Sequence, residues 1–415
     1  MTGAGCNTPI AVTGIGMVSA QGLSLDESWA GVVAGRDILA PWNVPGPAEK
    51  LPVARCPELR RPQDLPAYFW NSLAQTGRLA AIALDQALAD AGLPQQEPSP
   101  GEPMPLFVGT TACGMDLVEK FAAQYLADSE RADLRLLARL EPYALGELLV
   151  RRHKLPQSAT IFLSTCVASA MALGAACDAI LAGHAQIALA GGSDALCQVI
   201  VSGFNSLKLI APDGCRPFDE DRAGMTPGEG SAILVLESLA HAAARGARIR
   251  ACLSGYSATC DAWHITGPQP DGSHAARAMW QATATAGIDL GQINYINAHG
   301  TGTRDNDAME CRAFARLFSS NHRPPVSSTK RWTGHTFGAA GAVEAALCIK
   351  ALETQTLPPS GPVQKVDAAL SLPLAQTARQ ARLRHVLHCN SAFGGNNTAL
   401  VISQRPEGPS PEEKS

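Results

Sequence analysis

Charge is scarce in this 415-residue chain: Asp, Glu, Lys and Arg make up 17% of it, and aromatic residues only 5%. So low a charge density excludes a disordered, solvating polypeptide, and a net charge of −4 offers none of the basic excess that nucleic-acid binding demands. The twelve cysteines form no CxxC pair and no His/Cys cluster at metal-ligand spacing. Neither a metal site nor a disulfide framework is therefore expected, and a cytoplasmic protein with reduced thiols is. The opening MTGAGCNTPIAVTG has no basic patch before an apolar run, so no secretory signal is expected. The stretch from Ser158 to Cys177 is uncharged throughout. Ser, Thr, Cys and Gly dilute it and its composition changes midway, so it reads as a buried strand-helix unit and not as a membrane span.

What the chain does contain is apolar and small: 46% hydrophobic residues and 38 glycines, a composition suited to closely packed buried helices. IAVTGIGMV, PLFVGTT, ATIFLST, QIALAGGSD and SAILVLE predict buried strands, and WNSLAQTGRLAAIALDQALADAG and MALGAACDAILAG predict helices that stop at glycine. A similar series recurs after Cys252, from RACLSGYSAT to TALVISQ. The pattern is α/β, in two related halves, 1–251 and 252–404, with 405–415 as a flexible tail and the Pro-rich stretches Pro41–Pro66 and Pro94–Pro105 as surface loops.

Three residues stand out chemically. In TIFLSTCVASAMALGAACDAILAG an apolar run stops at Cys166 and an Ala-rich helix begins; a thiol there faces the positive end of the helix dipole, which favours thiolate. His299 in NAHGTGTRDND and His335 in STKRWTGHTFGAAGAVE lie in Gly/Thr-rich turns, where backbone approaches a ligand closely and imidazole supplies the partner groups of acyl transfer. TGIGMVSAQG imitates a dinucleotide-binding loop, but Ser19 stands where the third glycine belongs and no acidic partner follows, so no nicotinamide cofactor is expected.

These strings, together with RPFDEDRAGMTPGEGSAILVLE and CNSAFGGNNTALVIS, resemble β-ketoacyl-acyl-carrier-protein synthases of the type II (elongating) class, within the thiolase-like superfamily, over nearly the whole chain. The resemblance implies a duplicated thiolase-like fold, layered α-β-α-β-α, with two mixed five-stranded sheets around buried helices. It implies an acyltransferase that condenses a Cys-bound acyl chain with malonyl-carrier protein in fatty-acid, polyketide or polyene-type biosynthesis. Cys166 is then the nucleophile, with backbone N–H groups of Cys166 and Phe393 as the oxyanion hole. His299 and His335 match the family's two histidines, and Lys330 and Glu344 its buried polar network, Lys330 being the natural partner of an otherwise unpaired Glu344. Thr301 and Thr303 sit where the phosphopantetheine arm of the carrier enters, and that arm is substrate, not cofactor. His264 also matches a position near the site, while Asp307 and Glu310 are assigned to structure. At Ala112 the family places a larger aliphatic at the end of the acyl pocket, so a deeper pocket and a long, rigid or unsaturated chain are expected. Ala168 and Asn396 replace threonines common in the family. The resemblance also implies an acyl carrier protein as partner, docked on RRHK at 151–154 or on Arg60–Arg61, and a dimer, either of identical chains or with a chain-length-factor-like subunit. A chain-length factor itself lacks the nucleophile. A thiolase uses one histidine and a second cysteine, for which Cys389 is the candidate.

Overall fold

The computed structural model describes residues 8–43, 50–94, 103–319 and 322–405. Ten strands form one run: β1 (Ile10–Ser19), β2 (Leu106–Gly109), β3 (Ala159–Phe162), β4 (Ile187–Asp194), β5 (Gly230–Glu237), β6 (Ala251–Cys260), β7 (Tyr295–Asn297), β8 (Val326–Ser327), β9 (His385–Ser391) and β10 (Asn396–Ser403). Their spatial order is β8-β7-β9-β10-β6-β1-β5-β4-β2-β3. The first five strands lie together, as do the last five, and each set has the same pattern. From the middle outward, β1, β5 and β4 pair antiparallel and β4, β2 and β3 parallel; β6, β10 and β9 pair antiparallel and β9, β7 and β8 parallel. The two five-stranded sheets meet in the short antiparallel pairing of Ile10–Val12 with Ala251–Leu253.

Six helices matter here: α1 (Gln75–Asp90), α2 (Met115–Ala127), α3 (Ala168–Leu181), α4 (Ser273–Thr285), α5 (Arg304–Leu317) and α6 (Ala340–Thr354). The α1 helix packs on the outer face of the first sheet and α4 on that of the second, whereas α3 and α6 pack on each other and on strands of both halves. Their sequences explain this placement. ASAMALGAACDAIL and AGAVEAALCIKALET are apolar and small on nearly every face, as a helix enclosed by two sheets requires. The closeness of the pair leaves no room at Gly341, where an added Cβ would lie 2.7 Å from the Ala170 nitrogen. Ser169 Oγ accepts the N–H of Ala342 at 3.0 Å and cross-links the two helices.

Two local expectations change. The helix expected over 70–92 begins at Gln75, after a separate turn at Ala67–Asn71. The side chain of Asp116 reaches across to accept the Gln75 N–H at 2.9 Å and starts α1 there. Within Pro41–Pro66, expected as surface loop, Leu39–Asn43 pairs antiparallel with Lys50–Ala54, Pro41 opposite Pro52. A two-stranded ribbon has free edges on both sides and so tolerates prolines that a central strand rejects. The tail beyond Arg405, and residues 95–102 of the second Pro-rich stretch, lie outside the described residues.

Candidate active site

The duplicated topology aims two turns at one point. After β3 the chain passes through Thr165, held at φ 48°, and Cys166 before α3 begins at Ala168. After β8 it passes through the short helix Lys330–Thr333, His335 and Phe337, also at φ 48°, before α6 begins at Ala340. By this register Gly338 is the counterpart of Cys166 in the second half. A third turn, leaving β7, carries His299. The Cys166 sulfur and ring nitrogens of His299 and His335 all lie within 4.8 Å of one another, and the two imidazoles meet edge to face with centroids 5.3 Å apart. The three groups line a cavity of about 300 Å³ together with Phe204, Met225, Thr301, Thr303 and Phe393.

Hydrogen bonds set the imidazole tautomers. Nδ1 of His335 accepts the N–H of Phe337 at 3.2 Å, so in the neutral ring the proton resides on Nε2. Nδ1 of His299 faces the amide nitrogen of Asn390 at 3.4 Å, with the same result. Both rings therefore act as N–H donors through Nε2. Burial, seconded by the Lys330 ammonium, holds both well below the ordinary histidine range, so they stay neutral.

Lys330 and Glu344 are fully enclosed and ion-paired to each other through Nζ and Oε1. The second oxygen of Glu344 accepts from Asn390 at 2.8 Å, so a chain of contacts runs from Lys330 through Glu344 and Asn390 to His299. Burial pushes Glu344 up, and Lys330 opposes the shift. On the other side of His299, Glu310 accepts the backbone N–H groups of His299 and Gly300, both at 2.7 Å. Asp307 accepts those of Phe218 at 2.8 Å and Gly302 at 3.2 Å. Burial raises Glu310 to about 8 and Asp307 to about 6. These two carboxyls hold the HGTGT turn in shape and leave its side chains free to face the cavity.

The nucleophile departs from expectation. Burial pushes the Cys166 thiol up to about 12, and Lys330 only partly offsets this. Desolvation thus opposes the helix-terminus field and favours thiol over thiolate.

Of the other expected site residues, Phe393 lines the cavity, and its carbonyl accepts from Thr165 Oγ1 at 3.1 Å. Thr301 and Thr303 line it as well, their hydroxyls 2.9 Å apart. His264 is exposed, its Nδ1 accepting the N–H groups of Thr266 and Gly267, both at 3.1 Å, in an outer depression that shares Thr266 and Pro268 with the mouth. Ala112 is buried away from the cavity, its N–H on Asp194 at 2.8 Å. In the basic run 151–154, Arg152 turns inward onto Asp64 and Asp85 with its side chain only 5% exposed, and His153 is buried 3.2 Å from Asp85, so the run presents no continuous basic face. His388 is a satisfied core histidine between Asn297 and the Gly341 carbonyl. Sequence reading missed Asn390 and Asp194, which lie in HCNSA and AGGSD; their signal is a polar residue at the end of an apolar strand.

Comparison with known proteins agrees with this geometry. Residues 7–242 match the β-ketoacyl synthase N-terminal domain and residues 250–364 the β-ketoacyl synthase C-terminal domain. The chain is 32% identical to 3-oxoacyl-[acyl-carrier-protein] synthase 2 of Rhizobium meliloti (strain 1021), across 95% of this chain and 98% of that one. The ishigamide ketosynthase/chain length factor structure superposes with a TM-score of 0.89 at 32% identity, covering 96% of this chain and all of that one. A ketosynthase in complex with its chain length factor from Xenorhabdus doucetiae gives a TM-score of 0.83 at 29% identity, covering 97% of this chain and all of that one. With its paired turns, its two neutral imidazoles and matches spanning both halves, this chain belongs to the β-ketoacyl synthase family.

Proposed function

We propose that this chain is the catalytic subunit of a carbon-carbon bond-forming synthase that condenses an acyl group held on Cys166 with a malonyl thioester delivered by an acyl carrier protein. The observation that carries the reading is the convergence of Cys166, His299 and His335 within 4.8 Å at one cavity. In the first half-reaction the Cys166 sulfur attacks the carrier thioester, the acyl group moves to sulfur, and the thiol proton leaves with the carrier's thiol. The Phe393 loop beside the nucleophile provides an N–H donor for the tetrahedral oxyanion. In the second, the malonyl carboxylate departs as carbon dioxide and its electron pair becomes an enolate. Two neutral imidazoles presenting Nε2–H suit an enolate oxygen, since each donates without surrendering its proton. The enolate carbon then attacks the acyl-Cys166 carbonyl, and the released sulfur takes a proton from solvent.

The phosphopantetheine arm is part of the substrate in this scheme, and no separate cofactor is invoked. At the cavity mouth Lys208 and Arg304 are exposed, a setting for an acidic carrier. Ala112 lies outside the cavity that holds Cys166, so a long, rigid or unsaturated acyl chain rests on the family resemblance alone. A partner of the same fold, a second copy or a chain-length-factor-like chain, fits the face formed by the outer edge of β3, α2 and neighbouring segments. That face exposes Tyr125, Leu126, Leu134, Tyr143 and Leu163. An assembled nucleophile and histidine pair argues against this chain being the chain-length factor itself. Among the described residues no helix is long and apolar enough to cross a membrane.

Intact-mass analysis after mixing with carrier proteins bearing a panel of acyl chains tests the reading. An acyl mass gain that vanishes in Cys166→Ala is expected, with His335→Ala loading normally yet failing to release carbon dioxide from malonyl-carrier protein. Loading that survives Cys166→Ala overturns it.

A further inference from the structure

Asp194, at the end of β4, is fully buried, and no ion pair joins it to a cation among the described residues. Instead it accepts hydrogen bonds from both sides of the molecule. From the turn after β2 come Thr110 Oγ1 at 2.8 Å, the Thr111 N–H at 2.8 Å to one oxygen and 3.0 Å to the other, and the Ala112 N–H at 2.8 Å. From the turn that follows His335 comes the Gly338 N–H at 2.6 Å. Nothing larger than glycine fits that contact, because a Cβ on Gly338 would lie 2.7 Å from Asp194 Oδ2 and 2.6 Å from the Thr110 carbonyl carbon. The same turn fixes the His335 tautomer through the Phe337 N–H, one residue earlier. A buried carboxylate without a cation is costly unless donors surround it. Here the donors belong to two segments far apart in the chain, whose backbones touch at Gly338 and Thr110 and whose only shared hydrogen-bond acceptor among the described residues is Asp194.

We propose that Asp194 is a positioning residue that yokes the Thr110–Ala112 turn, beside the nucleophile, to the His335 turn, so that the second half-reaction depends on a carboxylate no reacting atom touches. The inference rests on the condensing role proposed above. An amide cannot replace the carboxylate, because Asn offers one acceptor oxygen and turns its NH2 toward an N–H on the other side. The yoke therefore breaks at one end in Asp194→Asn, and the geometry points to the Gly338 end, which hangs on a single bond.

The test measures the two half-reactions separately in the full-length protein. Asp194→Asn is expected to load acyl groups on Cys166 within about twofold of wild type and to lower kcat for carbon dioxide release from malonyl-carrier protein tenfold or more. KM for that carrier should stay within about twofold. A purely structural role would instead lower both half-reactions together with the folded fraction. Equal kcat in variant and wild type overturns the proposal, and so does parallel loss of both half-reactions in a folded variant. If Asp194→Asn does not fold, native-state hydrogen exchange on the wild type decides: the Ala112 and Gly338 amides should open with the same constant, and a difference above tenfold overturns the yoke. Failure of the wild type to load any acyl chain or release any carbon dioxide would instead count against the condensing role itself.

Discussion

Thr165 Oγ1 donates to the Phe393 carbonyl at 3.1 Å, so the residue before Cys166 holds the loop that carries the proposed second oxyanion donor. Thr165 is a β-branched residue at φ 48°, a conformation that costs about 1–3 kcal/mol and persists only where its surroundings enforce it. Removing the hydroxyl removes this tether from the Phe393 carbonyl, while Gly394 and Gly395 beyond it stay bonded to Ile265 and Asp261. Thr165→Val should slow acyl transfer to Cys166 about tenfold, the kinetic equivalent of one hydrogen bond of about 1.4 kcal/mol, and Thr165→Ser should restore it. Stopped-time mass analysis of acyl loading checks this; a Thr165→Val rate equal to wild type removes the tether from the mechanism.

Lys330 and Glu344 make the second prediction. Deleting one partner of a buried pair strands the other charge, at a cost of about 3–5 kcal/mol, whereas replacing both with apolar residues is often neutral. Lys330→Met and Glu344→Met singly should each lower the thermal midpoint by several degrees, and the double variant should recover most of the loss. Activity should not recover, because Asn390 loses the acceptor that orients it toward His299. Thermal melts beside carbon dioxide release read both quantities; a double variant that regains activity would show the pair to be architectural only.

Cys166 gives a pH prediction of definite sign. Burial raises its thiol to about 12, so thiolate is the minor form at neutral pH and grows tenfold with each pH unit. Alkylation of Cys166 by iodoacetamide should therefore rise with unit slope from pH 6 to pH 10 without a plateau. A plateau near pH 7 would restore the thiolate suggested by the helix start alone. Peptide mapping is needed to follow Cys166 itself, since Cys260 is exposed and reacts independently.

The two halves were legible because both periodicity and motif order repeat: every strand expected from the apolar runs appears within a few residues of its place. Cys166, His299 and His335 were legible because each lies in a long, distinctive string. What the strings conceal is long-range partnership. Asp194 stands 84 residues from Thr110 and 144 from Gly338, and no local pattern announces that these three meet. The ionisation of Cys166 is hidden from the sequence for a related reason. A strand-to-helix turn reveals the dipole, which is local, but not the depth of burial, which depends on both sheets and on α6.

The apolar face on α2 and its neighbours yields the last prediction. Leu126 is 85% exposed and Leu163, just past the edge strand β3, is 57% exposed, beside the exposed Tyr125 and Tyr143. Exposed apolar residues next to an unpaired strand edge suit the partner face proposed above, since a parallel-sheet edge of this kind is otherwise an aggregation hazard. Burying a leucine contributes about 1.5–3 kcal/mol, so Leu126→Asp with Leu163→Asp should weaken self-association or pairing by about 100-fold or more. Sedimentation at micromolar concentration should then give monomers where the wild type gives dimers or partner-bound chains. Both positions lie outside the cavity that holds Cys166, so loss of turnover in these variants, restored at high protein concentration, would place the neighbouring subunit in the assembly of the acyl pocket; unchanged sedimentation would put the interface elsewhere.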